Sequence, residues 1–378
     1  MRMTIRTSAL FLCGLLLGLA SAQAADQQDT QSFVYKKTQQ AELELIVHYP
    51  PGWKDGDKRP AVVFFFGGGW TGGTLEQFEP QASHLARRGM VAARADYRVK
   101  SRHGVTPQEC VEDAKSAVRW MRANAAKLGV DPDRIVAAGG SAGGHIAACT
   151  AFSPGLDADD GDAKISSKAN ALVLFNPVLR FTGIPELMQR IDNDETLGKA
   201  ISPTLHLTKE SPPTLIFFGT ADRLAAMGDE FMKKSKELGH RAELFMAEGQ
   251  PHGFFNRPPW QEKTTQRMDE FLVSIGYLAA NAPPTGTKAS FKGWELYIWQ
   301  QDGDTHFSLL FGTNRLKTDT EIVTAAVKGI DAIKRKLDER EAGETIFPCG
   351  RRLADQAPEG PAKEIRTYCR KLGLDVQR

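Results

Sequence analysis

Three residues of the types that cooperate in acyl transfer stand just past apolar runs. They are Ser141 in IVAAGGSAGGHIAA (135–148), Asp222 in TLIFFGTADRL (214–224) and His252 in AELFMAEGQPHGFFN (242–256). A serine hydroxyl is a poor nucleophile until an imidazole takes its proton and a carboxylate holds that imidazole. Taken singly, each residue has a plain reading: a serine in a turn, an aspartate as a cap, a histidine on the surface. Together they fall in the chain order Ser, Asp, His, each at the end of a strand-like run. Gly139-Gly140-Ser141-Ala142-Gly143 also satisfies G-x-S-x-G between a strand pattern and a helix pattern. A turn that sharp holds the serine in a strained conformation and lifts its hydroxyl clear of the sheet. The amide of Ala142, at the start of the following helix, is then a donor for a developing oxyanion.

A second glycine cluster, VVFFFGGGWTGG (62–73), abuts another apolar run. Gly67, Gly69 and Gly72 match the G-x-G-x-x-G dinucleotide fingerprint, with Asp96 ending the next strand pattern where a ribose ligand would stand. Residues 67–74, however, hold five glycines and no helix start before Leu75, so a pyrophosphate would lack its helix N-terminus. The other reading makes the amides of Gly68 and Gly69 oxyanion donors beside Ser141, where a missing side chain lets the substrate oxygen approach.

The elements that must place these groups alternate. Strand patterns over 41–50, 59–66, 90–98, 134–140, 171–178, 214–219 and 241–249 are separated by helix patterns, among them 106–128 with Thr106 as its cap and Pro107 at its first position. Near-continuous apolar strands alternating with helices predict a doubly wound, mostly parallel sheet covered on both faces, an α/β fold. The intervals 153–170 and 179–213 break the rhythm, and inserts of this kind line or cover sites. ANAPPTGTK (280–288) reads as a linker. After it, Asp302-Gly303 between two alternating runs signals a hairpin, and helix patterns near 321–340 and 361–372 with a short strand at 344–347 complete a small α+β appendage. The expected organisation is a signal peptide over 1–24, a catalytic domain over 25–280, a linker over 281–288 and an accessory domain over 289–378.

Lys and Arg number 48 against 46 Asp and Glu, which gives no electrostatic footprint for nucleic acid. Arg2 and Arg6, an apolar run too short to span a bilayer, and Ala22-Gln23-Ala24 form the pattern of a cleaved secretory signal, so we expect a secreted or periplasmic protein with no membrane attachment after cleavage. Four of the five cysteines lie beyond that signal. In an oxidising compartment Cys349 and Cys369 are the expected pair, whereas Cys110 and Cys149 read as buried free thiols.

FGGGW, GGSAGGH, GTADRL and PHGF together resemble α/β-hydrolase fold esterases of the hormone-sensitive-lipase type, most similar to the compact bacterial branch containing acetylxylan and feruloyl esterases. The resemblance covers residues 40–280. It implies an α/β-hydrolase fold and cofactor-free hydrolysis of carboxylic esters through an acyl-enzyme. In it Ser141 is the nucleophile, Asp222 the acid, His252 the base, and Gly68, Gly69 and Ala142 the oxyanion donors. The family's usual histidine before the three glycines is Phe66 here, so loop geometry is expected to depend on packing. The absent N-terminal cap implies an open site.

Other residues receive narrower readings. Trp70 is a candidate acyl-pocket wall or sugar platform, and His103 a candidate rim residue. His145, one turn after Ser141, is expected to pack beneath it. Trp294 and Trp299 suit hairpin packing, with saccharide stacking as the alternative. The acidic run 157–162 misses calcium-loop spacing, so a solvated loop and no metal are expected. The substrate expected is a small-acyl ester, acetyl above all, linked to a carbohydrate. Competing readings are a serine peptidase of the prolyl-oligopeptidase type, for whose propeller domain the chain has no room, and an inactive polysaccharide-binding protein.

Overall fold

The computed structural model describes residues 30–158, 162 and 164–279 throughout, and beyond them the backbone of four strands between 287 and 348. The signal-peptide segment, residues 281–286 of the linker, the helix patterns after residue 311 and the Cys349–Cys369 pair lie outside the described residues, while Thr287 and Lys288, expected in the linker, open a strand.

Eight strands form one sheet: β1 (Thr30–Lys37), β2 (Glu42–His48), β3 (Arg59–Phe65), β4 (Val91–Ala95), β5 (Val130–Gly140), β6 (Ala171–Phe175), β7 (Thr214–Gly219) and β8 (Ala242–Ala247), in the order β1-β2-β4-β3-β5-β6-β7-β8. The β1–β2 and β2–β4 pairs are antiparallel and all others parallel. This is the α/β-hydrolase arrangement. Alternation within each strand sorts the core onto two faces. Ala61, Val63 and Phe65 of β3 join one apolar cluster with Leu172 and Leu174 of β6, while Val62 and Phe64 join the other with Val173 and Phe175. Helices α1 (Glu79–Arg87), α2 (Lys100–His103), α3 (Pro107–Ala123), α4 (Ala142–Phe152), α5 (Pro185–Met188), α6 (Glu195–Ala200), α7 (Ala225–Leu238) and α8 (Trp260–Ser274) fill the connections.

Helix α3 starts as its sequence dictates. Thr106 accepts from the Gln108 amide, Glu109 accepts from the Thr106 amide, and Pro107 takes the first position. Strand β1 has no counterpart among the sequence patterns, because its inward register includes a lysine. Lys36 is buried there, 2.8 Å from the fully buried carboxylate of Asp113 on α3. The Arg98 fork grips the same carboxylate at 2.8 and 2.9 Å, so one buried anion ties the edge strand to the helix layer. In the insert 153–170, Asp157 at the start of the acidic run is exposed and also ion-paired. Asp157 accepts from Lys115 Nζ at 3.0 Å and from Arg119.

Residues 279–378 form a second compact unit, in which β9 (Thr287–Phe291), β10 (Trp294–Gln301), β11 (Asp304–Phe311) and β12 (Ile346–Pro348) make a sheet ordered β12-β11-β10-β9. The expected hairpin is present: β10 pairs antiparallel with β11 from Trp294 opposite Phe311 to Gln301 opposite Asp304. Trp294 and Trp299 both fall on β10.

Candidate active site

Parallel strands bring their C-terminal ends to one edge of the sheet, and the three candidate groups meet there. Ser141 sits between β5 and α4 with φ 53° and ψ −115°, a conformation costing on the order of 1–3 kcal/mol. The elbow is held by the Ser141 amide donating to Phe175 O at 2.8 Å and by glycines that leave no room for a side chain. A Cβ on Gly143 would stand 2.1 Å from Phe65 O, and one on Gly139 would stand 2.5 Å from Gly143 C. Ser141 Oγ lies 2.9 Å from His252 Nε2, and His252 Nδ1 lies 2.7 Å from Asp222 Oδ2. Asp222 is buried while Ser141 and His252 reach solvent. The hydroxyl can therefore donate to Nε2, and the Nδ1–H to the carboxylate. That is the tautomer a general base needs.

The carboxylate has two further donors, and one of them escaped sequence reading. The Leu224 amide donates to Oδ1 at 2.9 Å, and Asn176 Nδ2 donates to Oδ2 at 3.0 Å. Asn176 directly follows β6, is fully buried, and has φ 47°. Its Oδ1 accepts from the Gly253 amide at 3.2 Å, so one side chain links the acid to the residue after the base. In the sequence it reads as an ordinary Asn-Pro turn. Gly219 also matters: a Cβ there would come 2.0 Å from Gln250 O, where the acid and base loops cross.

The glycine loop rests against the elbow, since a Cβ on Gly67 would stand 2.9 Å from Gly140 O and 3.4 Å from Ser141 Cβ. The Gly68 and Gly69 amides make no hydrogen bond among the described residues, and the Ala142 amide belongs to the first turn of α4, which has no intrahelical acceptor. The loop is braced by more than the packing expected. Phe66 stacks on Tyr97 with centroids 4.3 Å apart, and the Tyr97 hydroxyl donates to Phe66 O at 2.7 Å. Gln77 accepts from the Gly67 amide at 2.6 Å and donates to Asn256 Oδ1 at 3.1 Å. Asn256 in turn donates to Gly253 O at 3.0 Å. The amides at the start of α2 hold Trp70 O and Thr71 O, each at 2.9 Å.

Trp70 is not a sugar platform. Its ring is buried, 4% exposed, and its Nε1–H donates to His145 Nδ1 at 3.2 Å. His145 lies beneath the elbow as expected, with Nε2 2.8 Å from Ile201 O. Burial lowers its pKa to about 4, so it stays neutral with its proton on Nε2. The rim candidate His103 is engaged by its own turn: its Nδ1 accepts from the Val99 amide at 3.0 Å, and burial and the Arg102 charge lower its pKa. Asp96, the residue a dinucleotide would need, is occupied by both arms of Arg102 at 2.6 and 2.9 Å. Cys110 and Cys149 are buried free thiols, and burial pushes the Cys149 thiol up to about 12. No group of three His, Cys, Asp or Glu suited to a metal occurs among the described residues.

The family model BD-FAE matches residues 45–236, just over half the chain, and includes the elbow, the glycine loop and the acid. The chain belongs to the BD-FAE family of α/β-hydrolases. Esterase 2 of Thermogutta terrifontis with propionate bound is 48% identical to this BD-FAE chain, covering 67% of it and 97% of that chain with a TM-score of 0.64. The form of that enzyme phosphorylated by paraoxon is 48% identical over 67% of this chain and 96% of that one, with a TM-score of 0.63. Among curated proteins of Mycobacterium tuberculosis, the probable carboxylic ester hydrolase LipM is 31% identical over 49% of this chain and 48% of its own length. Esterase LipQ is 30% identical over 62% of each. The BD-FAE chain thus spans about a third to under two thirds of the curated relatives it matches.

Proposed function

We propose that the protein is a serine carboxylesterase that cleaves short-chain esters, acetyl above all, through an acyl-enzyme. The observation that carries this is the continuous hydrogen-bonded chain Ser141 Oγ, His252 Nε2, His252 Nδ1, Asp222 Oδ2 beside uncommitted backbone amides. Ser141 Oγ attacks the ester carbonyl as its proton passes to His252 Nε2. The Gly68, Gly69 and Ala142 amides hold the developing oxyanion, each worth roughly 3 kcal/mol of barrier. Collapse expels the alcohol, which takes the proton from His252. Water, deprotonated by the same Nε2, then attacks the acyl carbonyl, and Ser141 leaves with the proton restored to it. Asp222 keeps the imidazole oriented and stabilises its cationic form.

The solved structures of a relative support the short-acyl reading. Structures of the Thermogutta esterase carry propionate and butyrate. A carbohydrate-linked ester and export are the remaining parts of the proposal. Their support is the likeness to the acetylxylan and feruloyl esterase branch and the signal-like N-terminal pattern. Export predicts a mature protein that begins at Ala25, and N-terminal sequencing of intact material at Met1 would refute it.

The deciding experiment compares wild type with Ser141→Ala on 4-nitrophenyl acetate, butyrate and octanoate and on acetylated xylan. Loss of the nucleophile should lower kcat by about 10⁶. Equal rates in both proteins would overturn the esterase reading, and a steady rise toward octanoate would overturn the short-acyl one.

A further inference from the structure

The insert between β6 and β7 sends one cation to the oxyanion loop. Arg190, on the turn Gln189–Ile191, is solvent-exposed, yet its guanidinium is fixed on three sides. Nη1 donates to Gly69 O at 2.9 Å and lies 3.5 Å from Thr71 Oγ1, and the group stands 5.6 Å from the centroid of the Trp70 ring. Where a Cβ on Gly69 would stand, Nη2 at 3.8 Å and Nη1 at 3.9 Å are the heavy atoms of the described residues within 4 Å, Gly69 and its chain neighbours apart. That side of Gly69 is otherwise open. Gly69 supplies one of the proposed oxyanion amides, and the cation is bonded to the carbonyl oxygen of that same residue.

The charge is also unspent. Arg102, the nearby arginine over Phe66, has both arms on Asp96, and Arg98 has its fork on Asp113. Arg190 has no carboxylate partner among the described residues: neither Glu186, one helical turn before it, nor Asp192, two residues on, pairs with it. Only Nη1 is engaged, which leaves Nη2 and Nε to make the charge-assisted, planar contacts that carboxylates accept. A guanidinium held rigid, unpaired and open to solvent beside the oxyanion donors is built to receive an anion from the substrate.

We propose that Arg190 forms a carboxylate subsite, and that the preferred esters carry a carboxylate near the scissile bond. This rests on the esterase reading. The carboxylate has two possible sources, the acyl half, as in a half-ester of a dicarboxylic acid, and the alcohol half, as in an O-acetylated uronic acid. In either case it binds Nη2 and Nε while Nη1 stays on Gly69 O.

The test measures kcat/KM on two matched pairs: 4-nitrophenyl hemiglutarate against 4-nitrophenyl valerate, and O-acetylated galacturonate against O-acetylated galactose. Wild type, Arg190→Gln and Arg190→Lys are compared. The anionic-to-neutral ratio should fall about tenfold in Arg190→Gln for the pair whose carboxylate occupies the subsite, with Arg190→Lys between. Salt raised to about 0.5 M should shrink the wild-type ratio, since an exposed pair is screened. Ratios unchanged by Arg190→Gln in both pairs would overturn the subsite. So would an equal slowing of neutral and anionic partners, which would make Arg190 a loop brace alone. Failure of wild type to turn over either member of both pairs would instead refute the esterase reading. The subsite would then be judged by binding of the anionic esters to Ser141→Ala protein, where equal affinity with and without Arg190→Gln would overturn it.

Discussion

Asp222 Oδ2 receives two donors, His252 Nδ1 and Asn176 Nδ2, so on the proposed mechanism Asn176 acts on catalysis through the acid. Asn176→Ala should lower kcat by roughly 10- to 100-fold with little change in KM, the scale of losing one buried hydrogen bond. Asn176→Asp gives a sharper reading. Two carboxyls about 3 Å apart cannot both ionise cheaply, so the acid limb of the kcat–pH profile should move to higher pH. A residue that served only packing would lower the rate evenly across pH, and that outcome would remove Asn176 from the machinery. Ser141, Asp222 and His252 were legible because each ends a strand pattern and the three stand in order. Asn176 was not, since a buried amide after a strand looks the same in sequence as a turn asparagine. Trp70 misled for a related reason: an aromatic after glycines suggests an exposed plate, but its indole proton has a partner in His145 beneath the elbow.

At the level of elements, strand and helix order followed from apolar alternation and from signals such as the Thr106 cap and Asp302-Gly303. Strand β1 was hidden because the partner of its inward lysine, Asp113, lies on α3, far along the chain. The brace on the glycine loop was hidden too. With Phe66 ahead of the glycines, the loop is held by hydrogen bonds with Tyr97 and Gln77, which lie elsewhere in the chain. Tyr97→Phe keeps the ring stack but leaves Phe66 O without its donor. It should cost about 1–3 kcal/mol in stability and lower kcat more than it raises KM. Chemical unfolding and steady-state kinetics on the same preparation would check both. An unchanged kcat would show that the loop keeps its shape without that bond.

For the molecule as a whole, the layer beneath the site sets a limit on acid tolerance. His145 is fully buried with its pKa lowered to about 4, against an ordinary value of 6.5. Between those values the unfolded chain takes up a proton that the folded chain refuses. The contribution is complete above pH 6.5 and is lost as pH falls toward 4, at up to about 1.4 kcal/mol per pH unit. Buried His48, lowered to about 4 by burial and by Arg94, acts in the same window. Unfolding free energies from pH 7 to 4.5 should therefore slope less steeply in His145→Gln than in wild type, and parallel slopes would refute the assignment.

The bridge from Gly67 through Gln77 and Asn256 to Gly253 joins the glycine loop, the proposed oxyanion site, to the loop that carries His252, the proposed base. Neither can drift while the other stays in register. On the proposed mechanism both half-reactions draw on this one bridge, so loosening it would slow acylation and deacylation together.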